Sequence, residues 1–371
     1  MRVVIAGGGT GGHLFPGVAV AREVLRRKPD AMVSFAGTAR GLEATLVPKE
    51  GFELDVIRSA GLKGRSVMAM LRGLALVPAG LADAWALLSR RRPNVVVGVG
   101  GYSSGPVVLA AALRGIPTML LEQNAVPGLT NRTLARVVRA AALTYDDVNN
   151  YFGRKAFVTG NPVRPEFFTA GLTSSIADSQ SAIADRRSPI GDGPRLLILG
   201  GSQGAHAINV AMVEAAAELV RRHPGLKIVH QTGQRDVAVV REGYGRAGID
   251  ARAESFLDGV AGEMTSADLV ICRAGATTLA ELAAVGRPAV LVPFPNAADD
   301  HQTKNAQVLA SAGAAVLLEQ KNLGGGALSA AVSELLNNDA RLVAMSAKMK
   351  SFAKPDAAAR IVDRVFEMAA A

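Results

Sequence analysis

The chain has 371 residues, more than one domain of ordinary size. Its 49% hydrophobic content, with 40 glycines and 4% aromatic residues, excludes a disordered chain and fits an α/β protein with tight strand-to-helix turns. Lys and Arg number 41 against 32 Asp and Glu, a formal charge of +9 that favours an anionic partner: nucleic acid, anionic lipid or phosphate. A single cysteine, Cys272, lies in an apolar run, which excludes disulfides, argues against a zinc site and points to a reducing, cytoplasmic compartment.

The first residues run directly into a glycine loop, so they read as a first strand and not as a signal peptide. No stretch reaches the ~18 uninterrupted apolar residues of a spanning helix. Strand 3–6 leads to Gly7, Gly8, Gly9, Thr10, Gly11, Gly12 and His13. Gly7, Gly9 and Gly12 satisfy the dinucleotide fingerprint G-x-G-x-x-G, yet the second strand, 31–36, ends in Gly37 and Thr38. The acid that would hold a ribose there is missing, so a nicotinamide cofactor is not expected. What the loop retains is the close approach of backbone amides to an anion at a helix start. His13 has two readings, a packed structural histidine or a group that takes a proton from a hydroxyl or steadies a phosphate.

Segment 62–92 carries Lys63, Arg65, Arg72, Arg90, Arg91 and Arg92 against one acid, Asp83. Leu62, Val67, Met68, Met70, Leu71, Leu74, Leu76, Leu81, Trp85 and Leu88 lie among them. Such an apolar surface ringed by cations suits an anionic bilayer, while the helical spacing of Leu81, Trp85 and Leu88 equally suits an ordinary core. After strand 95–97 a second glycine loop, 98–106, includes Gly101, Tyr102 and Ser103, and two such loops in one domain suit a pyrophosphate. Glu122, Gln123 and Asn124 follow strand 118–121; the carboxylate there suits a base, a sugar-hydroxyl ligand or a helix cap.

The domain junction is expected at 160–163, where Pro162 fixes the chain. Arg164 then opens the second domain as a fixed cation suited to a diphosphate. Residues 169–194 read as a surface excursion. Strand 196–199 leads to Gly200, Gly201, Ser202, Gln203 and Gly204, repeating the strand, Gly-Gly-hydroxyl-x-Gly and helix of the N-terminus. Leu269 to Cys272 reads as a buried parallel strand, followed by a helix on which Thr278 precedes Glu281 by three residues, the spacing of a capping box. A strand at 289–294 then leads to a polar loop containing Asp299, Asp300, His301 and Gln302. Polar clusters at successive strand ends mark a ligand crevice, and capping and binding remain alternative readings of Thr278 and Glu281.

The segments GGGTGGH, GVGGYSSGP, EQN with PGLTN, TGNPVR, GGSQGAH, GATTLAE and PFPNAADDHQTKNA occur in this order over nearly the full chain. In them the chain resembles the bacterial MurG family, glycosyltransferase family 28, which adds N-acetylglucosamine to lipid I. The resemblance implies a GT-B fold, two Rossmann-like α/β domains with parallel sheets facing a cleft. Residues 1–163 would form the acceptor and membrane-associating domain, completed by a C-terminal helix at 355–371, and 164–354 the UDP-GlcNAc domain. It implies an inverting transfer to the C4 hydroxyl of MurNAc in lipid I, serving peptidoglycan synthesis and through it cell shape and division. His13 is the first candidate base and Glu122 the second. Substrate binding falls to Thr10, Gly11, Gly12, Asn124, Arg164 and Ser202, to Leu257 through its backbone beside the uracil, to Ala276, Thr277, Thr278, Leu279 and Ala280, to Glu281 at the ribose hydroxyls and to Gln302 at the sugar. Gly9, Gly101, Tyr102 and Ser103 would receive the acceptor diphosphate.

Relatives often carry His where this chain has Leu121, so no proton relay through that position transfers to it. No Asp-x-Asp pair is present, and helix N-termini, Arg164 and glycine-loop amides are the expected substitutes for a metal. No metal and no cofactor are expected. The implied partners are UDP-GlcNAc, lipid I and an anionic inner-leaflet surface, with no nucleic acid, and the implied place is peripheral, on the cytoplasmic face of the inner membrane. Two other classes stay open, a UDP-sugar epimerase of similar form and a non-catalytic membrane-bound nucleotide-sugar binder.

Overall fold

The computed structural model describes residues 1–59, 67–169, 193–201 and 204–370, the side chains of 67–75, 147 and 149 excepted. Most of the excursion expected at 169–194 lies outside the described residues, as does Ser202. The chain divides into two compact units, Met1–Arg164 with Lys354–Ala371, and Pro165–Ala353. Arg164 therefore belongs with the first unit, one residue beyond the expected boundary.

The first unit is built on seven parallel strands: β1 (Arg2–Gly7), β2 (Met32–Gly37), β3 (Glu53–Val56), β4 (Val95–Gly100), β5 (Thr118–Glu122), β6 (Ala140–Leu143) and β7 (Ala156–Val158). Their order across the sheet is β3-β2-β1-β4-β5-β6-β7. Successive side chains on a strand point to opposite faces, and here both faces are covered, which is why these strands read as unbroken apolar runs. Val3, Ile5, Val95 and Val97 pack on Leu14 and Val18 of α1 (Gly11–Arg27) and on Ile361, Val362 and Val365 of the C-terminal helix Ala357–Ala370. Val47 of α2 (Glu43–Lys49) joins the same layer. Val4, Ala6 and Val96 face the other way, onto α3 (Val67–Arg91) and α4 (Ser104–Leu113); Leu87, Leu88, Val107 and Val108 fill that side. A short α5 (Leu129–Leu134) follows β5.

The second unit has six parallel strands: β8 (Arg195–Leu199), β9 (Lys227–Gln231), β10 (Ala251–Glu254), β11 (Leu269–Cys272), β12 (Ala289–Leu291) and β13 (Ala315–Leu317), in the order β10-β9-β8-β11-β12-β13. Leu196, Ile198, Ile271 and Val290 bury against Ile208, Met212 and Leu219 of α6 (His206–Arg222). Helix α7 (Ala276–Val285) follows β11, and α8 (His301–Ser311) follows β12. The strand expected at 289–294 stops at Leu291. Val292 still donates to Cys272 O at 2.9 Å, but Pro293 has no N–H with which to continue a ladder.

In each sheet the order reverses beside the first strand, between β1 and β4 and between β8 and β11. The carboxyl ends of those pairs are the switch points at which open α/β sheets hold ligands. Both glycine loops of the first unit and the GATTLAE segment of the second sit there.

The basic segment at 62–92 is only partly described: Leu62, Lys63 and Arg65 lie outside the described residues, as do the side chains of Val67, Met68, Met70, Leu71, Arg72 and Leu74. In the rest, Leu88 is buried, Leu81 packs against the core, and Trp85 is 49% exposed with the Arg114 guanidinium 5.0 Å from its ring centre. The expected surplus of cations is reduced, because Arg90 and Arg91 each pair with the buried Asp55 at 2.7 Å. Asp83 in turn pairs with Arg58, outside the segment. Among the described residues no helix is long and apolar enough to cross a membrane.

Candidate active site

The two glycine loops of the first unit interlock at its switch point. Gly9, Gly100 and Gly101 have φ of 89°, 94° and 78°, a region that disfavours side chains. Contact adds to that constraint: a Cβ at Gly101 would lie 2.4 Å from Gly8 O, and one at Gly100 would lie 2.7 Å from His13 Cδ2. Gly9 in turn abuts the Tyr102 ring. Gly9, Thr10, Gly11, Gly12 and His13 are thereby brought together with Gly101, Tyr102 and Ser103. Thr10 caps α1 in extended geometry with no side-chain cap bond, and its Oγ1 lies 3.2 Å from His13 Nδ1. Ser103 Oγ is buried and has no hydrogen-bond partner among the described residues.

Arg164, expected on the donor side, instead lies on the first unit with its guanidinium 4.3 Å from the Phe15 ring centre. That ring also meets Gly11 at the start of α1.

Glu122, the second candidate base, is the last residue of β5. Its carboxylate is buried and takes four donors: Asn124 N (3.0 Å) and Asn124 Nδ2 (3.3 Å) on Oε1, Gly128 N (3.1 Å) and Asn131 Nδ2 (2.8 Å) on Oε2. Burial raises its pKa, and these bonds pull in the opposite direction. The arrangement braces the loop between β5 and α5, with Asn124 held as part of it.

A second buried carboxylate, Glu43 at the start of α2, escaped the sequence reading. Its Oε2 accepts from Gly9 N at 2.8 Å, and its Oε1 from Thr38 N at 2.9 Å and Thr38 Oγ1 at 2.7 Å. Burial pushes its pKa up, but the bonds from Gly9 and Thr38 outweigh that and hold it below the usual carboxylate value. The Gly9 amide, expected to face an acceptor diphosphate, is thus engaged from behind. Gly37 and Gly41 on either side were the available signal.

In the second unit Gly201 and Gly204 bracket the turn between β8 and α6 with φ of 75° and 77°. Asn209 donates to Thr232 O (2.9 Å) and Asp236 Oδ2 (2.8 Å), so its Oδ1 accepts from His230 Nε2 (3.0 Å). His230 Nδ1 then accepts from the Tyr244 hydroxyl at 2.8 Å. Burial, opposed by Asp236, lowers the His230 pKa to about 3, so this ring stays neutral. The same Asp236 oxygen lies 3.0 Å from Nδ1 of His206, the exposed first residue of α6.

Helix α7 corrects the capping reading. It starts at Ala276 behind Gly275, whose φ and ψ are −70° and 136°, and no side chain caps it. Its first bond runs from Leu279 N to Gly275 O at 3.0 Å. Thr278 is thus a helical residue, and Glu281 is buried further along the helix and not at its cap. The amides of Ala276, Thr277 and Thr278 project from the amino end of α7, with Leu279 and Ala280 completing its first turns. Cys272 lies near Glu281; burial first, then that charge, pushes the thiol pKa up to about 12.

Leu257 is buried and its N–H is held by Gln231 Oε1 at 3.1 Å, leaving its carbonyl as the backbone group for a ligand. Gln302 Oε1 accepts from Phe294 N at 3.0 Å, which fixes its amide so that Nε2 is the outward donor. Arg273, also missed from sequence, holds that turn. Its Nη1 donates to Val292 O (3.0 Å) and Pro293 O (3.1 Å), its Nη2 to Gln320 Oε1 (2.7 Å), and its guanidinium lies 5.4 Å from the Phe294 ring centre. Asp299 and Asp300, just before Gln302, both have left-handed φ, 55° and 54°. Two adjacent non-glycine residues there store strain of the kind found at ligand clamps. Among the described residues no group of three or more His, Cys, Asp or Glu side chains is arranged to hold a metal ion.

The chain matches the glycosyltransferase family 28 N-terminal domain over residues 3–143 and the glycosyltransferase family 28 C-terminal domain over residues 195–361. A curated relative from Anaeromyxobacter sp. (strain K) is 45% identical over 369 residues, 99% of this chain and 93% of that one. Its name is UDP-N-acetylglucosamine--N-acetylmuramyl-(pentapeptide) pyrophosphoryl-undecaprenol N-acetylglucosamine transferase. The crystal structure of Acinetobacter baumannii MurG is similar with a TM-score of 0.75 and 31% identity, covering 99% of both chains. UDP-GlcNAc 2-epimerase from Neisseria meningitidis is similar with a TM-score of 0.68 at 14% identity, over 99% of this chain and 100% of that one, a likeness of fold alone. Both halves of the chain match the same family and its relatives extend nearly from end to end, so the chain belongs to glycosyltransferase family 28.

Proposed function

We propose that the chain is an inverting N-acetylglucosaminyltransferase that moves GlcNAc from UDP-GlcNAc to the C4 hydroxyl of MurNAc in lipid I, giving lipid II and UDP. The observation that carries this reading is 45% identity over 99% of the chain to a relative named for that reaction. The first unit would take the acceptor and the second the donor. The C4 oxygen attacks the anomeric carbon, the C1–O bond to UDP breaks, and a β-1,4 bond forms as the hydroxyl proton passes to His13. In that role His13 Nδ1–H donates to Thr10 Oγ1, 3.2 Å away, and Nε2 receives the proton.

The amides of Thr10, Gly11 and Gly12, the Gly101–Ser103 turn and Arg164 would hold the acceptor diphosphate. The amides of Ala276 to Thr278 at the amino end of α7 would stabilise the departing UDP. Glu281 accepts the ribose hydroxyls, the Leu257 carbonyl faces the uracil, and the Gln302 Nε2 donates to the sugar. Ser202, outside the described residues, enters this set on resemblance alone. The exposed Trp85 and Leu113, with Arg114 over the indole, suit a peripheral seat on the anionic cytoplasmic leaflet.

Incubation with UDP-GlcNAc and a short-chain lipid I analogue tests the proposal. Disaccharide lipid and stoichiometric UDP are expected. Epimerised sugar without acceptor consumption, or no turnover, would reject it.

A further inference from the structure

The structure assigns to Glu43 a positioning role: its carboxylate holds the first glycine loop from behind, so that the amides of Thr10 to Gly12 face the acceptor while no nucleoside finds a ribose ligand beside it. The assignment rests on the reading of the first unit as the acceptor half.

Three observations carry it. Glu43 is fully buried, yet it belongs to no ion pair among the described residues; its partners are Gly9 N, Thr38 N and Thr38 Oγ1. The backbone around it, in the loop at Gly8 and in the β2–α2 connection at Gly37 and Gly41, leaves room for its side chain only without a Cβ, which would fall 2.4, 2.6 or 2.1 Å from its atoms. Finally, the carboxylate binds Thr38 at the carboxyl end of β2, where dinucleotide-binding folds place the acid that accepts ribose hydroxyls. Here that acid arrives from α2 and is turned inward, with both oxygens engaged. The G-x-G-x-x-G loop is therefore left as an anion loop without a nucleoside pocket.

A Glu43→Gln variant separates positioning from mere packing, since it keeps shape and loses one acceptor. The carboxamide oxygen is retained by the two Thr38 donors, which sets the new NH2 against the Gly9 N–H, donor to donor. The expected result is a rise of about tenfold or more in KM for the short-chain lipid I analogue, with KM for UDP-GlcNAc within about twofold. Amide hydrogen exchange across residues 7–13 should accelerate in the same variant, read by mass spectrometry on the full chain. Unchanged exchange there would overturn the assignment whether or not the wild type transfers sugar. Equal effects on both KM values, or a lower melting temperature with neither KM changed, would overturn it too. Failure of the wild type to glycosylate the analogue would instead reject the functional reading.

Discussion

His13 and Glu122 show how two residues alike in sequence position part company in three dimensions. Both follow a buried strand, His13 in the first turn of α1 and Glu122 as the last residue of β5, and a sequence ranks them only as first and second candidate base. Packing sets them in different surroundings: Glu122 accepts from four N–H donors, whereas the His13 ring lies against Gly100 of the second glycine loop, which is the ground for proposing His13 as the base. His13→Ala is expected to lower kcat by about 10² to 10⁴ while stability stays within ~1 kcal/mol. Glu122→Gln should act mainly on stability, costing about 2 kcal/mol as one new NH2 meets two former donors. Urea unfolding beside steady-state kinetics reads both, and a Glu122→Gln enzyme of normal stability with abolished kcat would reverse the roles.

The carboxylates also set the response to acid. Glu43 and Asp55 have folded pKa values below their ordinary 4.5 and 3.8, Asp55 because bonds from Arg91 and Arg90 outweigh its burial. Their stabilisation is present above those ordinary values and is lost as pH falls through the folded ones. Glu122, raised, works in the opposite sense: its contribution is fully present below 4.5 and declines as pH rises through its folded value. Melting temperature should therefore fall steeply below about pH 4, and the slope should be shallower in Glu43→Gln. An identical slope in that variant would mean Glu43 is not ionised in the fold.

At the scale of elements, strands were legible because both faces of each sheet are covered and β-branched runs follow. The glycine loops were legible because positive φ and close backbone approach leave few other residues possible. Thr278 and Glu281 misled for a physical reason: capping-box spacing is a local pattern, and Gly275 in extended geometry had already started α7 three residues earlier. Arg273 and Glu43 were illegible because their partners, such as Val292, Gln320 and Gly9, are distant in sequence and only the fold unites them. The Arg273 clamp has a measurable consequence. Lys cannot reproduce its planar fork across two carbonyls and Gln320. Arg273→Lys should therefore loosen the turn that orients Gln302 and raise KM for UDP-GlcNAc by about tenfold, with KM for lipid I unchanged. Equal KM values in mutant and wild type would show that the turn holds without it.

For the whole molecule, the last stretch of chain belongs to the core of the first unit. Residues Lys354–Ala371 cluster with Met1–Arg164, and Ile361, Val362, Val365 and Met368 are buried with Val3, Ile5 and Val97. The core of the first unit therefore depends on a helix at 357–370, far along the chain from its strands, while the second unit has its own core around Leu196, Ile198 and Ile271. Ile361→Ala removes a fully buried side chain from a layer shared by α1 and β1, and a change of this kind costs about 2–5 kcal/mol. The loss should fall on the first unit alone. Amide exchange should rise across β1, α1 and β4 and stay unchanged in β8, β11 and α7, and UDP should still slow exchange at the start of α7. Destabilisation spread evenly through both units would show that they fold as one cooperative body.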